Sequence, residues 1–153
     1  NGERAPFFSP EARAGYFGIS QHTTRAELQR AVFEGLAYAI VDSLQGYPQG
    51  GELYLTGGGA ASATWLQMIA DCTGRTVVSS PFNELSARGA AILAARSVDA
   101  LSRYPALEQT RYRPNPQAHS RYAALYPVYR LLREQMLPVW QARREALQRI
   151  SQE

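Results

Sequence analysis

Residues 53–65, Leu-Tyr-Leu-Thr-Gly-Gly-Gly-Ala-Ala-Ser-Ala-Thr-Trp, decide the fold of this chain. A short apolar segment ends at three consecutive glycines, and a helix-forming segment follows directly. Glycine lets the backbone approach an anion closely and adopts positive φ. The following helix presents unpaired N–H groups and the positive end of its dipole. The stretch therefore predicts a turn that can cradle a phosphate or nucleotide, although a strand–glycine–helix turn is also an ordinary structural connection.

The composition is that of a globular protein with a core. The 153 residues are 45% hydrophobic and 19% charged, which is typical of a folded domain. No apolar run approaches the roughly 20 residues that cross a bilayer, and the first residues lack a signal-peptide pattern. Cys72 is the single cysteine, which excludes a disulfide framework within the chain and a thiolate metal cage. We therefore expect a cytoplasmic setting and no membrane partner.

The basic residues are all arginine. There is no lysine, which excludes a Walker-type phosphate loop and Schiff-base chemistry. The net charge is +3, and the arginines are more frequent after residue 95. Because they are spread around predicted helices rather than clustered on one face, we expect no nucleic-acid partner.

The elements on either side of the glycine turn alternate between helix and strand. The spacing of Thr24 and Glu27 predicts a capping box at the start of a long first helix. This order of elements predicts a parallel α/β sheet with right-handed crossovers. The apolar face of the first helix is predicted from residues that recur every fourth position: Leu28, Val32, Leu36, Ile40 and Leu44. The other predicted elements are a short strand at 15–20, a strand at 53–55, a helix at 62–73 stopped by Gly74, a strand at 76–80, a turn at 81–84 and a helix at 85–98.

The last third of the chain is predicted to be a connector followed by helix. Residues 99–118 contain prolines and tyrosines and read as the connector. From residue 120 onward an apolar stripe predicts one long helix, or two helices joined at Pro138. The stripe consists of Tyr122, Leu125, Tyr129, Leu132 and Met136. We therefore divide the chain into an α/β part at 1–98 and a part at 99–153, whose connector and helices pack on the first.

Several motifs, in order, resemble one known family. They are Gly2-Glu-Arg-Ala-Pro6 with Ser9-Pro-Glu-Ala-Arg13, Ala14-Gly-Tyr-Phe-Gly-Ile19 with Glu27-Leu-Gln-Arg-Ala-Val-Phe-Glu34, Thr56-Gly-Gly-Gly-Ala-Ala-Ser62 with Trp65, Gln67 and Asp71, and Glu84-Leu-Ser-Ala-Arg-Gly-Ala-Ala91. In these motifs the chain resembles the carboxy-terminal part of the FGGY carbohydrate kinases, and xylulokinase-like members most closely. The resemblance implies an α/β, RNase H-like nucleotide-binding domain of the actin–hexokinase superfamily. It also implies that this domain is incomplete at its amino-terminal side and carries a carboxy-terminal helical tail.

The resemblance implies ATP-dependent phosphorylation of a sugar or polyol hydroxyl, with ATP and Mg²⁺ as cofactors. This chain would supply the ATP-binding half of the site. A missing amino-terminal kinase domain would be its partner and would hold the general base and most sugar contacts. We therefore expect the chain alone to be inactive and to carry no catalytic residue.

The same resemblance implies which residues bind the nucleotide. Gly57 and Gly58 would lie against the α-phosphate and the ribose, and Gly59 would leave room for the adenosine. Ser62 would contact the adenine, and it is equally well placed as the N-cap of the following helix. Gln67 and Asp71, four residues apart, are expected to bond to each other on the helix surface.

Other interpretations compete with a kinase. The pattern Gly57-x-Gly59-x-x-Ser62 resembles a dinucleotide-binding motif, but that motif expects an acidic residue after the next strand, and Val77-Val-Ser-Ser80 has none. A non-catalytic nucleotide-binding or interaction module of the same superfamily remains an alternative, and so does a homodimer. His22 and His119 lack carboxylate or thiol companions at metal-ligand spacing, so we expect surface histidines and no metal site.

Overall fold

The computed structural model describes residues 2–80, 84–98 and 107–152. The predicted turn at 81–84 lies largely outside these residues, as does part of the predicted connector at 99–118. The elements are α1 (Arg25–Ser43), β1 (Leu53–Leu55), a 3-10 turn (Gly58–Ala61), α2 (Ala63–Thr73), β2 (Val77–Ser79), α3 (Leu85–Ser97), β3 (Thr110–Tyr112) and α4 (Pro116–Ile150).

The sheet has three strands in the order β1-β2-β3. β1 and β2 are parallel, with Leu53 opposite Val77, as the alternation of elements predicts. β3 pairs antiparallel with β2; it was not predicted and lies inside the predicted connector. β2 is the central strand, and all three of its residues are buried. No strand forms at 15–20, so that prediction is wrong.

Local capping chemistry sets the ends of the first two helices. At α1 the Thr24 Oγ1 accepts from the Glu27 N–H, and the Glu27 carboxylate accepts from the Thr24 N–H at 2.7 Å. α2 ends at Gly74, which adopts φ +68°, a conformation that glycine reaches at little cost. These boundaries agree with the predictions.

The buried face of α1 agrees only in part with the predicted one. Leu28, Ile40 and Leu44 are half-buried, and Ile40 packs on the core. Val32 and Leu36 are 49% and 53% exposed, whereas Ala37, Tyr38 and Asp42 are buried. Because an α-helix has 3.6 residues per turn, residues spaced four apart drift around the helix axis. A long series of them therefore cannot all face one packing partner. Packing partners decide which side is buried, and Tyr38 contacts the rings of three tyrosines on α4.

The core consists of two clusters on opposite sides of α2. One lies between α2 and the sheet and contains Leu66, Ile69, Ala70 and Val77. The other lies among α1, α2 and α4 and contains Ala37, Tyr38, Met68, Cys72 and Tyr122. Helix α2 is therefore buried between the sheet and the two long helices, and it positions the glycine turn that precedes it.

Helix α4 runs without interruption through Pro127 and Pro138. Of the two predictions for the tail, one long helix is therefore correct, and two helices joined at Pro138 is not. Its inner face passes through Tyr122, Tyr126 and Tyr129, while Leu125 is exposed, contrary to the predicted stripe. No helix in the described part of the chain is both long and apolar enough to cross a bilayer.

A charged pair at the interface of α1 and α4 reinforces this packing. The buried Asp42 carboxylate accepts from the Tyr126 hydroxyl at 2.6 Å and pairs with Arg133. The Arg133 guanidinium also lies 5.4 Å from the ring centroid of Phe7, within the range of a cation–π contact.

The amino-terminal segment lies against the last turns of α4. The ring of Phe7 stacks on Trp140 with centroids 6.0 Å apart. The Glu11 carboxylate accepts from Arg144 at 2.6 Å. The amino-terminal segment is therefore held on the carboxy-terminal half of α4.

Candidate functional site

The glycine turn lies at the carboxyl edge of the parallel pair of strands. β1 ends at Leu55 and β2 ends at Ser79, which are register partners. Loops that leave this edge of a parallel sheet are the usual ligand sites of α/β folds. The turn leads from β1 into α2, so it joins the sheet edge to the start of a helix.

The backbone of the turn requires glycine at its first position. Gly57 has φ +87° and ψ −173°, a conformation that other residues rarely adopt. The chain then makes one turn of 3-10 helix over Gly58–Ala61, in which the Ala60 N–H donates to the Gly57 carbonyl at 2.9 Å. The first N–H groups of such a turn have no acceptor within it.

The space at Gly58 is open, whereas the Cβ position of Gly59 faces the Trp65 indole. Both residues are exposed, and a Cβ built on Gly58 would meet no atom within 4 Å. A bound group can therefore come closer to this backbone than it could if Gly58 carried a side chain. An anion fits here because the N–H groups and the start of α2 both favour negative charge.

Ser62 is the N-cap of α2. Its Oγ accepts from the Trp65 N–H at 3.3 Å, and the residue is exposed. The capping role predicted from the sequence is confirmed, whereas contact with an adenine stays a prediction. The four predicted residues, Gly57, Gly58, Gly59 and Ser62, lie together on one turn.

Ser79 and Trp65 support this turn, although no role was predicted for either residue. The buried Ser79 hydroxyl donates to the Ala60 carbonyl at 3.4 Å. The indole Nε1 of Trp65 would lie 3.5 Å from a Cβ on Gly59. The position of Trp65 three residues after the N-cap was visible in the sequence, but no sequence signal identified Ser79.

Gln67 and Asp71 form a structural network on α2. The Gln67 amide donates to Asp71 at 2.9 Å and to the Arg113 carbonyl at 2.8 Å. The Asp71 carboxylate also accepts from the Asn115 N–H at 2.8 Å. The predicted bond between Gln67 and Asp71 is confirmed, and the network fixes the loop between β3 and α4.

The two histidines differ from each other. His22 is exposed, as expected for a surface residue. His119 lies in α4, is half-buried, and contacts the backbone at the end of α2, so the prediction that it is a surface histidine is wrong. Across the described ranges, no group of three or more His, Cys, Asp or Glu side chains could hold a metal ion.

The strongest pKa shifts lie in the core rather than at the glycine turn. Burial, with the nearby Glu34 and Asp71 carboxylates, raises the pKa of the Cys72 thiol to about 12. Burial and its hydrogen bond to Glu34 raise the pKa of Tyr122 to about 12. Both groups are therefore neutral near pH 7 and contribute packing rather than acid–base chemistry.

An open turn of glycine backbone at the carboxyl edge of a parallel sheet defines a candidate nucleotide-binding site on an α/β fold. Residues 1–98 match the model of the carboxy-terminal domain of the FGGY family of carbohydrate kinases. The chain belongs to this family.

Individual relatives agree with this assignment. The chain is 33% identical over 151 residues to a xylulose kinase from Escherichia coli (strain K12), covering 91% of this chain and 31% of that protein. It is 38% identical over 122 residues to a glycerol kinase from Koribacter versatilis (strain Ellin345), covering 72% of this chain and 24% of that protein. The chain therefore spans less than a third of the length of these relatives.

A solved structure supports the fold. A xylulose kinase from Lactobacillus acidophilus superimposes with a TM-score of 0.83 at 22% sequence identity, covering 92% of this chain and 31% of that one. The predicted fold class is confirmed: over the aligned residues the chain has the same α/β fold as this kinase.

Proposed function

We propose that this chain supplies the ATP-binding half of the site in an ATP-dependent carbohydrate kinase that phosphorylates a sugar or polyol hydroxyl. Membership of the FGGY family supports the reaction class. The observation that carries the proposal is the open glycine turn, in which a Cβ at Gly58 would meet no atom within 4 Å. This opening gives a nucleotide room to lie against the backbone.

In this proposal the turn binds and orients the nucleotide. Backbone N–H groups at Gly57 and Gly58 face the α-phosphate and the ribose, and Gly59 gives the adenosine room. The Ser62 hydroxyl contacts the adenine while it caps α2, because a hydroxyl oxygen has two acceptor lone pairs and one donor. Mg²⁺, when bound with ATP, neutralises phosphate charge during transfer.

The rest of the active site would come from an upstream domain. The chain spans 31% and 24% of the two curated relatives, and we propose that the protein carrying it has an amino-terminal kinase domain with the general base and most sugar contacts. Closure of the two domains would exclude water and direct the phosphoryl group to the sugar. By itself this chain would phosphorylate nothing.

The first experiment measures ADP release by the full-length protein with a panel of ketopentoses, polyols and aldonates, using this chain alone as the control. We expect sugar-dependent release from the full-length protein and none from the chain. ATP hydrolysis that is equally fast with and without every sugar would contradict the proposal. Nucleotide binding without any transfer would favour a non-catalytic module instead.

A substitution at Gly58 tests the site itself. Gly58→Ala is compatible with the helical turn and meets no atom within 4 Å, so the fold should be unchanged or slightly more stable. The added methyl group should weaken ATP binding at least about tenfold, or about 1.4 kcal/mol, as measured by calorimetry. Gly35→Ala in α1, where a Cβ also meets nothing, is the matched control and should bind ATP normally.

A further inference from the structure

Trp65 stands where the glycine turn, both core clusters and α1 meet. Its indole packs against the cluster beneath the sheet and against the cluster between the long helices. Its backbone N–H is the group that Ser62 caps. No other aromatic residue in the described ranges packs on both clusters.

The indole lies against the Cβ position of Gly59. Its Nε1 and Cδ1 are 3.5 and 3.7 Å from a Cβ built there, and no other atom lies within 4 Å of it apart from the two chain neighbours and the backbone of the same helical turn. The turn is otherwise fixed at Ala60, by Ser79, and at Ser62, by the capping bond. Gly59 precedes both of these fixed points in the chain, and the indole is the side chain that lies against its Cβ position.

The indole is itself held by α1. The rings of Phe33 and Trp65 contact each other with centroids 5.5 Å apart and planes inclined by 55°. Such tilted aromatic pairs are worth about 0.5–1.5 kcal/mol beyond the area that they bury. The pair therefore links the middle of α1 to the glycine turn through a single side chain.

We infer that Trp65 is a positioning residue for the nucleotide, and that its indole holds Gly59 and thereby the N–H groups of the turn. The inference rests on the proposed function, because it assigns a support to the same site. Three consecutive glycines are the most flexible backbone a chain can offer. A turn that must present fixed donors therefore needs a rigid group against it, and binding is tighter when that order exists beforehand.

The chain offers a matched control in Trp140. This residue also forms an aromatic pair, with Phe7 at 6.0 Å, but it lies on α4 against the amino-terminal segment. Replacing either tryptophan by leucine removes an indole from an aromatic pair. Only Trp65→Leu removes the support beneath Gly59.

The test measures Mg²⁺–ADP binding by calorimetry and thermal stability for the full-length protein and for Trp65→Leu, Trp65→Phe and Trp140→Leu. We expect Trp65→Leu to raise the dissociation constant at least about fivefold, and Trp65→Phe, which keeps a flat ring, to change it less than about twofold. Trp140→Leu should lower the melting temperature and leave the dissociation constant unchanged. In steady-state kinetics, Trp65→Leu should raise the KM for ATP and leave the KM for the sugar unchanged.

The outcomes separate the inference from the proposed function. Unchanged ADP binding in Trp65→Leu, with normal binding by the unaltered protein, overturns the inference alone. Equal loss of binding in Trp65→Leu and Trp140→Leu overturns it too, because the effect would then follow stability. If the unaltered protein binds no nucleotide, the proposed function fails and the inference fails with it. Should Trp65→Leu not fold, an increased dissociation constant in Phe33→Leu supports the inference and an unchanged one overturns it.

Discussion

The imidazole of His119 lies directly over Gly74, the residue that ends α2. Its Nδ1 donates to the Asp71 carbonyl at 2.9 Å, and a Cβ on Gly74 would lie 2.6 Å from its Cε1. Gly74 also needs φ +68°. Two independent constraints, the positive φ and the adjacent imidazole, therefore require glycine here. The hydrogen bond from His119 holds the start of α4 against the end of α2.

Gly74→Ala should destabilise the protein by about 2–4 kcal/mol, because it combines backbone strain with overpacking against a ring. Gly46→Ala is the control: it has φ +87° but meets no atom within 4 Å, so it carries the backbone term alone, about 1 kcal/mol. Urea unfolding of both variants measures the difference. Equal losses would show that the His119 contact costs nothing.

Asp42→Asn should remove about 3 kcal/mol of stability. Asp42 is 8% exposed and pairs with Arg133, so neutralising its carboxylate leaves a largely buried guanidinium with only the longer ion pair to Glu134, at 3.6 Å. Arg130→Gln breaks an exposed pair with Glu134 and should cost at most about 0.5 kcal/mol. Chemical unfolding of the two variants would refute the buried-pair argument if they lost the same amount.

Cys72 should make stability fall in alkaline solution. Burial raises the pKa of its thiol to about 12, against an ordinary value of 9.0. Above pH 9 the unfolded chain releases this proton while the folded protein keeps it, so the free energy of unfolding falls between pH 9 and 12. In urea unfolding at pH 8 to 10.5, the free energy of unfolding of Cys72→Ala should fall less steeply with pH. The difference in slope should correspond to about one proton. Identical slopes would mean that the folded thiol titrates normally.

Ser62→Ala should have two separable effects. Loss of the N-cap should cost about 1 kcal/mol of stability, and loss of the hydroxyl should also weaken ATP binding. Asn115→Ala removes the cap of α4, where the side chain accepts from two backbone N–H groups at 3.0 Å, and it should cost similar stability without affecting ATP. Thermal unfolding and calorimetry report the two effects. Normal ATP binding by Ser62→Ala would leave the residue as a cap alone.

Features set by neighbouring residues were predictable from the sequence. The capping box of Thr24 and Glu27, the glycine stop at Gly74 and the cap at Ser62 each depend on atoms within four residues. The glycine turn was predicted for the same reason, since its conformation and its open backbone are properties of the three glycines themselves.

Features set by distant contacts were not predictable. β3 has three residues, Thr-Arg-Tyr, and exists only because β2 offers it an edge. Asp42 and Arg133 are 91 residues apart, and nothing near either one indicates the other. One support of the candidate site belongs to this group, because Ser79 reaches the turn only after β1 and β2 have paired.

The contacts between the amino-terminal segment and the end of α4 also have a consequence for biosynthesis. Glu11 is translated 133 residues before Arg144, its ion-pair partner, and Phe7 likewise precedes Trp140 by most of the chain. Closing so long a loop gains nothing until its far end exists. On the ribosome the segment that holds Phe7 and Glu11 must therefore wait without these contacts until the last turns of α4 have been synthesised.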